Sequence, residues 1–243
     1  MQLLRTYPAK RPVYPFAPDG ERSIARAYSR AFNRARRLVY IEDQYFWSDV
    51  VATTLAEALE REPGLTVIAV VPRYPEEDNR VGGPPMKYGQ RLAWDRLRAA
   101  GGERFVMFDL ENHAGTPIYV HAKVCVVDDE WMTIGSDNLN LRSWIHDSEL
   151  TCAVVDPDGE LPRFLRASLW AEHLGLPEDD DRLTDLDGAL ALWHGRVGAP
   201  GSRVRLHVPP PVSRRTARWA GMAYRRFYDP DGRPRWLRGT SDF

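Results

Sequence analysis

The side chains able to do chemistry crowd into one stretch, His121 to Glu149. In Tyr119-Val-His121-Ala-Lys123-Val-Cys-Val-Val-Asp128 an imidazole and an amine stand two residues apart. Residues i and i+2 of a strand share a face, so His121 and Lys123 are predicted to project side by side while Val124 and Val126 pack on the other face. Such a pair suits an anion. Lysine neutralises phosphate charge, and an imidazole with an ordinary pKa near 6.5 can attack or carry a proton. Asp128 closes the strand, where it can hold a turn or pair with a cation. A second strand then delivers Gly135-Ser136-Asp137-Asn138, which offers a hydroxyl, a carboxamide and backbone N–H groups to the same anion. Asp147 and Glu149 follow, and a carboxylate on the second imidazole nitrogen would fix the tautomer and raise the basicity.

The elements that must position these groups read as α/β. Ser23 to Arg37 places Ile24, Ala27, Tyr28, Ala31 and Ala35 at helical spacing. Leu38 to Ile41 is a short apolar strand, and Ser48 is a candidate N-cap for a helix reaching Glu62 and stopped by Pro63-Gly64. Leu65 to Val71 reads as a buried strand, Arg73 to Pro85 as a polar loop, Met86 to Ala100 as a helix and Phe105 to Phe108 as a strand. Tyr119 to Val127, the turn at Asp128-Asp129-Glu130 and Trp131 to Ile134 form a hairpin signature. Leu150 to Val155 gives a further strand and Arg163 to His173 a closing helix. The expected fold is a mixed β-sheet flanked by α-helices on both faces. Three regions are expected: an extended, proline-rich lead-in over 1–20, a catalytic α/β unit over 21–177, and an acidic linker with an irregular Arg/Pro-rich tail over 178–243.

Composition narrows the function. The 243 residues carry 33 basic and 34 acidic side chains, 43% hydrophobic residues and two cysteines. The balance argues against a dedicated nucleic-acid binder, and two cysteines exclude a disulfide framework. Cys125 is expected in a core, turned away from the polar pair. No Cys/His cluster has zinc spacing, so neither metal nor cofactor is implied. The longest apolar run, Leu65 to Pro72, is too short to span a membrane. The first residues lack a secretory signal, which gives a cytoplasmic expectation. Charge is unevenly spread: Glu178 to Asp187 holds six acids and one arginine, whereas from Gly201 onward ten arginines face three acids. Only Lys10, Lys87 and Lys123 are lysines, so Lys123 stands out against an arginine background.

The joint spacing carries more than its parts. His121-x-Lys123-x4-Asp128-x6-Gly135-Ser136-x-Asn138 matches at every fixed position the signature of the phospholipase D superfamily, the HKD phosphodiesterases. Asn140-x-Arg142-Ser143-x3-Asp147-x-Glu149 resembles the sequence that trails this motif. Tyr40-Ile41-Glu42-Asp43-Gln44-Tyr45-Phe46 is similar to the segment that precedes the second motif in two-motif enzymes, with Asp43 in place of the usual asparagine. The resemblance implies a metal-independent transfer through a phosphohistidine. Carried onto this chain, His121 would be nucleophile or general acid/base, and Lys123 and Asn138 would bind phosphate. Ser136 would assist them, Glu149 (less so Asp147) would orient the imidazole, and Asp128 would serve structure more than catalysis.

The reaction needs two motifs, and this sequence has one. His113 is followed by Ala114-Gly115, and His146, His173, His194 and His207 open no second copy. The flanking segments resemble the C-terminal half of a two-motif bacterial phospholipase D. The site would then be completed by a second copy or by an N-terminal partner. Three functions remain open: a phospholipase D acting on phospholipid head groups, a single-motif homodimeric nuclease, and a non-catalytic half that binds a partner or an anionic membrane. Tyr45, Phe46 and Trp47 with the Arg73 to Pro85 loop fit either an apolar mouth or a core.

Overall fold

The structure is a computed structural model that describes residues 1–74, 81–233, 236, 238 and 243. One nine-stranded mixed sheet organises it, in the spatial order β2-β1-β8-β7-β6-β3-β4-β5-β9. The strands are β1 (Gln2–Tyr7), β2 (Glu21–Arg22), β3 (Leu38–Asp43), β4 (Thr66–Val70), β5 (Phe105–Leu110), β6 (Lys123–Val127), β7 (Trp131–Gly135), β8 (Glu149–Val155) and β9 (Val204–Leu206). β3, β4 and β5 run parallel, and β6 to β8 continue antiparallel. Every residue of β3 is buried, as expected of a strand covered on both faces.

Helices α1 (Ser23–Arg34), α2 (Asp49–Arg61) and α3 (Gly83–Gly101) cover one face, where Val39, Ile41 and Cys125 enter the core. α4 (Glu160–Leu174) and α5 (Ala189–Arg196) cover the other, over Leu38, Tyr40 and Val126. Adjacent residues of β3 thus feed opposite cores, the alternation that a pleat imposes. Ser48 caps α2, its side chain accepting from Val51 N. Cys125 is buried as expected, but it lies on the face of Lys123, one row deeper, because the two are separated by two residues.

The ends of the chain differ most from the sequence reading. Residues 2–7 of the expected lead-in form β1, which inserts between β2 and β8. The segment after 177, expected to be irregular, contributes α5, the edge strand β9 and α6 (Arg214–Ala223). α6 rests on α3 where Gly89 leaves room: a Cβ there would stand 2.5 Å from the Tyr224 ring. Of the expected Arg73 to Pro85 loop, residues 75–80 lie outside the described residues, and Gly83-Pro84-Pro85 opens α3, a position where proline's missing N–H costs nothing.

Candidate functional site

The site forms where four strands end together. β3 finishes at Asp43, β6 starts at Lys123, β7 finishes at Gly135 and β8 starts at Glu149. Asp43 is directly across from Lys123, and Gly135 from Thr151. Asp43, Lys123, Gly135 and Thr151 therefore make one row of side chains along a single sheet rim. Gly135 is required by close approach: a Cβ would meet the Thr151 Cα at 2.7 Å.

Lys123 is half-buried in this row, and its Nζ donates to Gln44 Oε1 at 3.1 Å and to the His121 carbonyl at 3.0 Å. Gln44 Nε2 in turn donates to the Tyr119 hydroxyl at 2.7 Å. The expected strand from Tyr119 begins only at Lys123. His121 precedes it on extended chain, exposed, with its ring near-parallel to that of Tyr119. Among the described residues no hydrogen bond reaches the His121 ring. Strand pairing thus sets Lys123 on the rim, and the bond from its Nζ to the His121 carbonyl, rather than the ladder, ties His121 beside it.

Ser136 and Glu149 meet across the β7–β8 end. The Ser136 hydroxyl donates to the Glu149 carboxylate and accepts from Leu150 N at 3.1 Å. Glu149, expected beside the imidazole, is engaged by Ser136 instead. Burial pushes its carboxyl above the usual range, while Ser136, Ser143 and the Lys123 charge pull the other way. Asn138 is held by its backbone, whose N–H donates to Ser143 Oγ at 3.1 Å. Its side-chain Oδ1 is buried without a partner among the described residues, and the residue borders a cleft of about 690 Å³. Arg142 and Asp147 pair at 3.0 Å on the rim of the same cleft. Of the three aromatics left open by the sequence, Phe46 is buried in the α1–α3 core, whereas Tyr45 and Trp47 stack at 4.1 Å and wall the cleft.

Asp128 lies at the opposite end of β6, away from this rim. Its carboxylate accepts from the N–H groups of Arg36, Arg37 and Leu38 at 2.8, 2.9 and 2.8 Å. Asp128 and Asp129 both take positive φ, 53° and 59°, as the central residues of a turn closed by the Glu130 N–H donating to the Val127 carbonyl at 3.0 Å. Asp129 is buried and accepts from Nε and Nη2 of Arg166, at 2.6 and 2.7 Å.

Several residues matter here to which sequence reasoning gave no role. Asp43 is buried and accepts from Tyr45 N, Phe46 N and Leu139 N at 2.8, 2.6 and 2.8 Å. It ties the loop after β3 to the loop after β7, and the two bonds on its Oδ1 hold Phe46 at a φ of 41°. A conformation this costly for an aromatic residue persists only when its surroundings impose it. Burial raises the Asp43 carboxyl, against the three amides and the Lys123 charge. Asp137 turns inward, bonded to Thr151, with its second oxygen unpartnered, and burial lifts it to about 7. Glu42 turns to the opposite core, where the Tyr40 hydroxyl donates to it at 2.7 Å and His173 Nε2 lies 3.0 Å away. From the far end of the chain, Asp229 accepts from Leu141 N at 2.7 Å and sits 2.9 Å from the Tyr224 hydroxyl, itself 2.8 Å from the Trp47 carbonyl. The resemblance over Tyr40 to Phe46 included Asp43 and Gln44 but carried no role to either; no local pattern pointed at Tyr224 or Asp229. Among the described residues no group of three or more His, Cys, Asp or Glu side chains is arranged to hold a metal ion.

A mixed sheet of this order, helices on both faces, is a phospholipase D-like α/β fold. It superposes on phosphatidylserine synthase from Haemophilus influenzae with a TM-score of 0.53, at 16% identity, over 92% of this chain and 45% of that one. Residues 28–166 match the family described as cardiolipin synthase, PLD-like domain, and the chain belongs to the phospholipase D superfamily. The sequence is 29% identical to phospholipase D alpha 2 of Oryza sativa subsp. japonica, over 66% of this chain and 28% of the rice protein. It is 30% identical to phospholipase D alpha 1 of Carica papaya, over 65% of this chain and 29% of that protein. The chain thus spans under a third of the length of these plant relatives.

Proposed function

We propose that this chain supplies one HKD half of a phosphodiesterase that hydrolyses or transfers the head group of phospholipids. The observation that carries the reading is the convergence of Lys123, Ser136 and Asn138 at adjacent strand ends with an exposed His121 beside them. Lys123 and Asn138 bind the phosphoryl oxygens, and Ser136, its direction fixed by Glu149, adds a hydroxyl. Charge that builds on those oxygens is met by groups already in place. An imidazole nitrogen attacks phosphorus, forming an N–P bond as the bond from phosphorus to the leaving alcohol oxygen breaks. A second imidazole gives its proton to that oxygen, then takes one from the water or alcohol that displaces the histidine. His121 fills one of these two roles. The other belongs to a second motif, contributed by another copy of this chain or by an N-terminal partner. Asp128 takes no part in the chemistry.

The lipid reading is favoured over a nuclease by the overall charge balance and by the aromatic walls of the cleft beside Asn138. The test compares wild type with His121→Ala for choline release from phosphatidylcholine, for hydrolysis of a bis-aryl phosphodiester and for cleavage of DNA, alongside molar mass in solution. Phospholipid turnover that falls more than about a thousandfold in the variant, from a species containing two motifs, is expected. Turnover that survives the substitution, or turnover by a lone monomer, refutes the scheme; activity on DNA alone moves the substrate to nucleic acid.

A further inference from the structure

Residues 214–228, α6 and the turn of helix after it, carry Arg214, Arg215, Arg218, Arg225 and Arg226 and no acid until Asp229. All five arginines are exposed. Other arginines of this surface are ion-paired, as Arg91 is to Asp95 and Arg96 to Asp49; among the described residues none of these five is. Large apolar side chains stand among them in the open: Trp219 is 42% exposed, Met222 70% and Phe227 64%. Arg215, Arg218, Trp219 and Met222 fall at helical spacing on one face. Ala220, Gly221 and Tyr224, on the other, are buried against α3.

This combination is costly in water unless something covers it. Three large hydrophobes in one patch are more than scattered exposure, and five uncompensated cations repel one another. A second copy seated face to face would set five arginines against five. A nucleic acid would satisfy the cations but leave the aliphatic Met222 without use. An anionic bilayer satisfies both: arginines reach the phosphates while tryptophan, methionine and phenylalanine enter the boundary between head groups and acyl chains. Position agrees with this. Trp219, Ala223, Phe227 and Tyr228 also wall the cleft that contains Asn138, and Arg214, Arg215 and Arg218 line a second hollow of about 510 Å³ at the start of α6.

We infer that α6 and the turn after it are a docking surface for an anionic lipid bilayer, and that it sets the mouth of the Asn138 cleft at the membrane. Docking is separate from the chemistry, so it is read in His121→Ala protein, which leaves vesicle lipids intact if the proposed reaction holds and binds equally if it does not. Co-sedimentation uses vesicles of phosphatidylcholine alone and of phosphatidylcholine with phosphatidylglycerol. Binding is expected to the second and not the first, and to weaken steeply at about 0.5 M salt. Arg214→Gln/Arg215→Gln/Arg218→Gln is expected to lose about a hundredfold in affinity, and Trp219→Ala/Phe227→Ala about tenfold. The exposed triple Arg30→Gln/Arg34→Gln/Arg36→Gln, on and directly after α1, removes the same three charges elsewhere and should bind as before. Equal binding to both vesicle types, an equal loss in the α1 control, or a duplex oligonucleotide bound in preference to vesicles overturns the inference. So does a solution dimer that dissociates in Trp219→Ala/Phe227→Ala, which would make the patch a protein interface. All substituted side chains are exposed or half-exposed, and unchanged circular dichroism confirms that the variants fold.

Discussion

Replacing Asp128 separates structure from chemistry within the motif. Its carboxylate accepts three backbone N–H groups, from Arg36, Arg37 and Leu38, and so fixes the chain as it enters β3. Asp128→Ala removes all three bonds. Arg36 and Arg37 are exposed, so their amides recover water, and each bond is worth only about 1 kcal/mol net. Alanine at a φ of 53° adds about another 1 kcal/mol of backbone strain. The total is about 4 kcal/mol, which in a chain of this size lowers the melting temperature by roughly 8–16 °C. Asp128→Asn tolerates the left-handed backbone and keeps one oxygen acceptor, so about a quarter of that loss is expected. Thermal unfolding followed by circular dichroism reads both variants. Below the new midpoint, phosphodiesterase activity of Asp128→Ala should stay within about threefold of wild type, since the carboxylate lies at the far end of β6 from Lys123. A melting temperature that does not move, or activity that collapses in a fully folded variant, would refute the reasoning.

Two further outcomes follow from the site. Asp137, held at about 7 against an ordinary 3.8, binds a proton in the folded chain between those values that the unfolded chain has released. Its contribution to stability is complete below about pH 4 and gone above about pH 7, a span of at most about 4 kcal/mol. Denaturant melts of Asp137→Asn from pH 4 to 8 should show a flatter decline than wild type; parallel curves would mean that Asp137 is ionised throughout. Gly135→Ala forces a methyl group toward the Thr151 backbone and should destabilise by about 3 kcal/mol or more. An unshifted denaturation midpoint would show that β7 and β8 can part at the rim without cost.

The hairpin, and the presence of Lys123 and Ser136 at its rim, were legible in the sequence because their information is local. Valines alternate, the turn is Asp-Asp, and the spacing from His121 to Asn138 is fixed by two strands and the connection between them. Leu65 to Val71 and the helix capped by Ser48 were legible for the same reason. β1 was not, since a strand that borders proline-rich chain is recognised only by the partner it meets, β8, which lies far along the chain. β9 was hidden likewise, its three residues made into a strand by β5. His121 fell outside the ladder because pairing stops at the Asp43–Lys123 row, an end set by the loop after β3 rather than by residues 119–122. Glu149 went to Ser136 because β8 begins directly beside the end of β7, a proximity that spacing alone did not reveal. Tyr224 and Asp229 act on residues 177 and 88 positions away, beyond any local pattern.

The placement of β8 between β7 and β1 has a kinetic meaning. Within this chain β1 has only the two-residue β2 as a near partner, and some 140 residues separate it from its larger partner, β8. Closing so long a loop is slow in proportion to the separation it spans. β8 also carries Glu149 and Thr151, so the strand that completes the rim against β7 is the same one that receives β1 on its other edge. The order of the sheet thus leaves one edge of β1 without its main partner until the residues of the rim have been made.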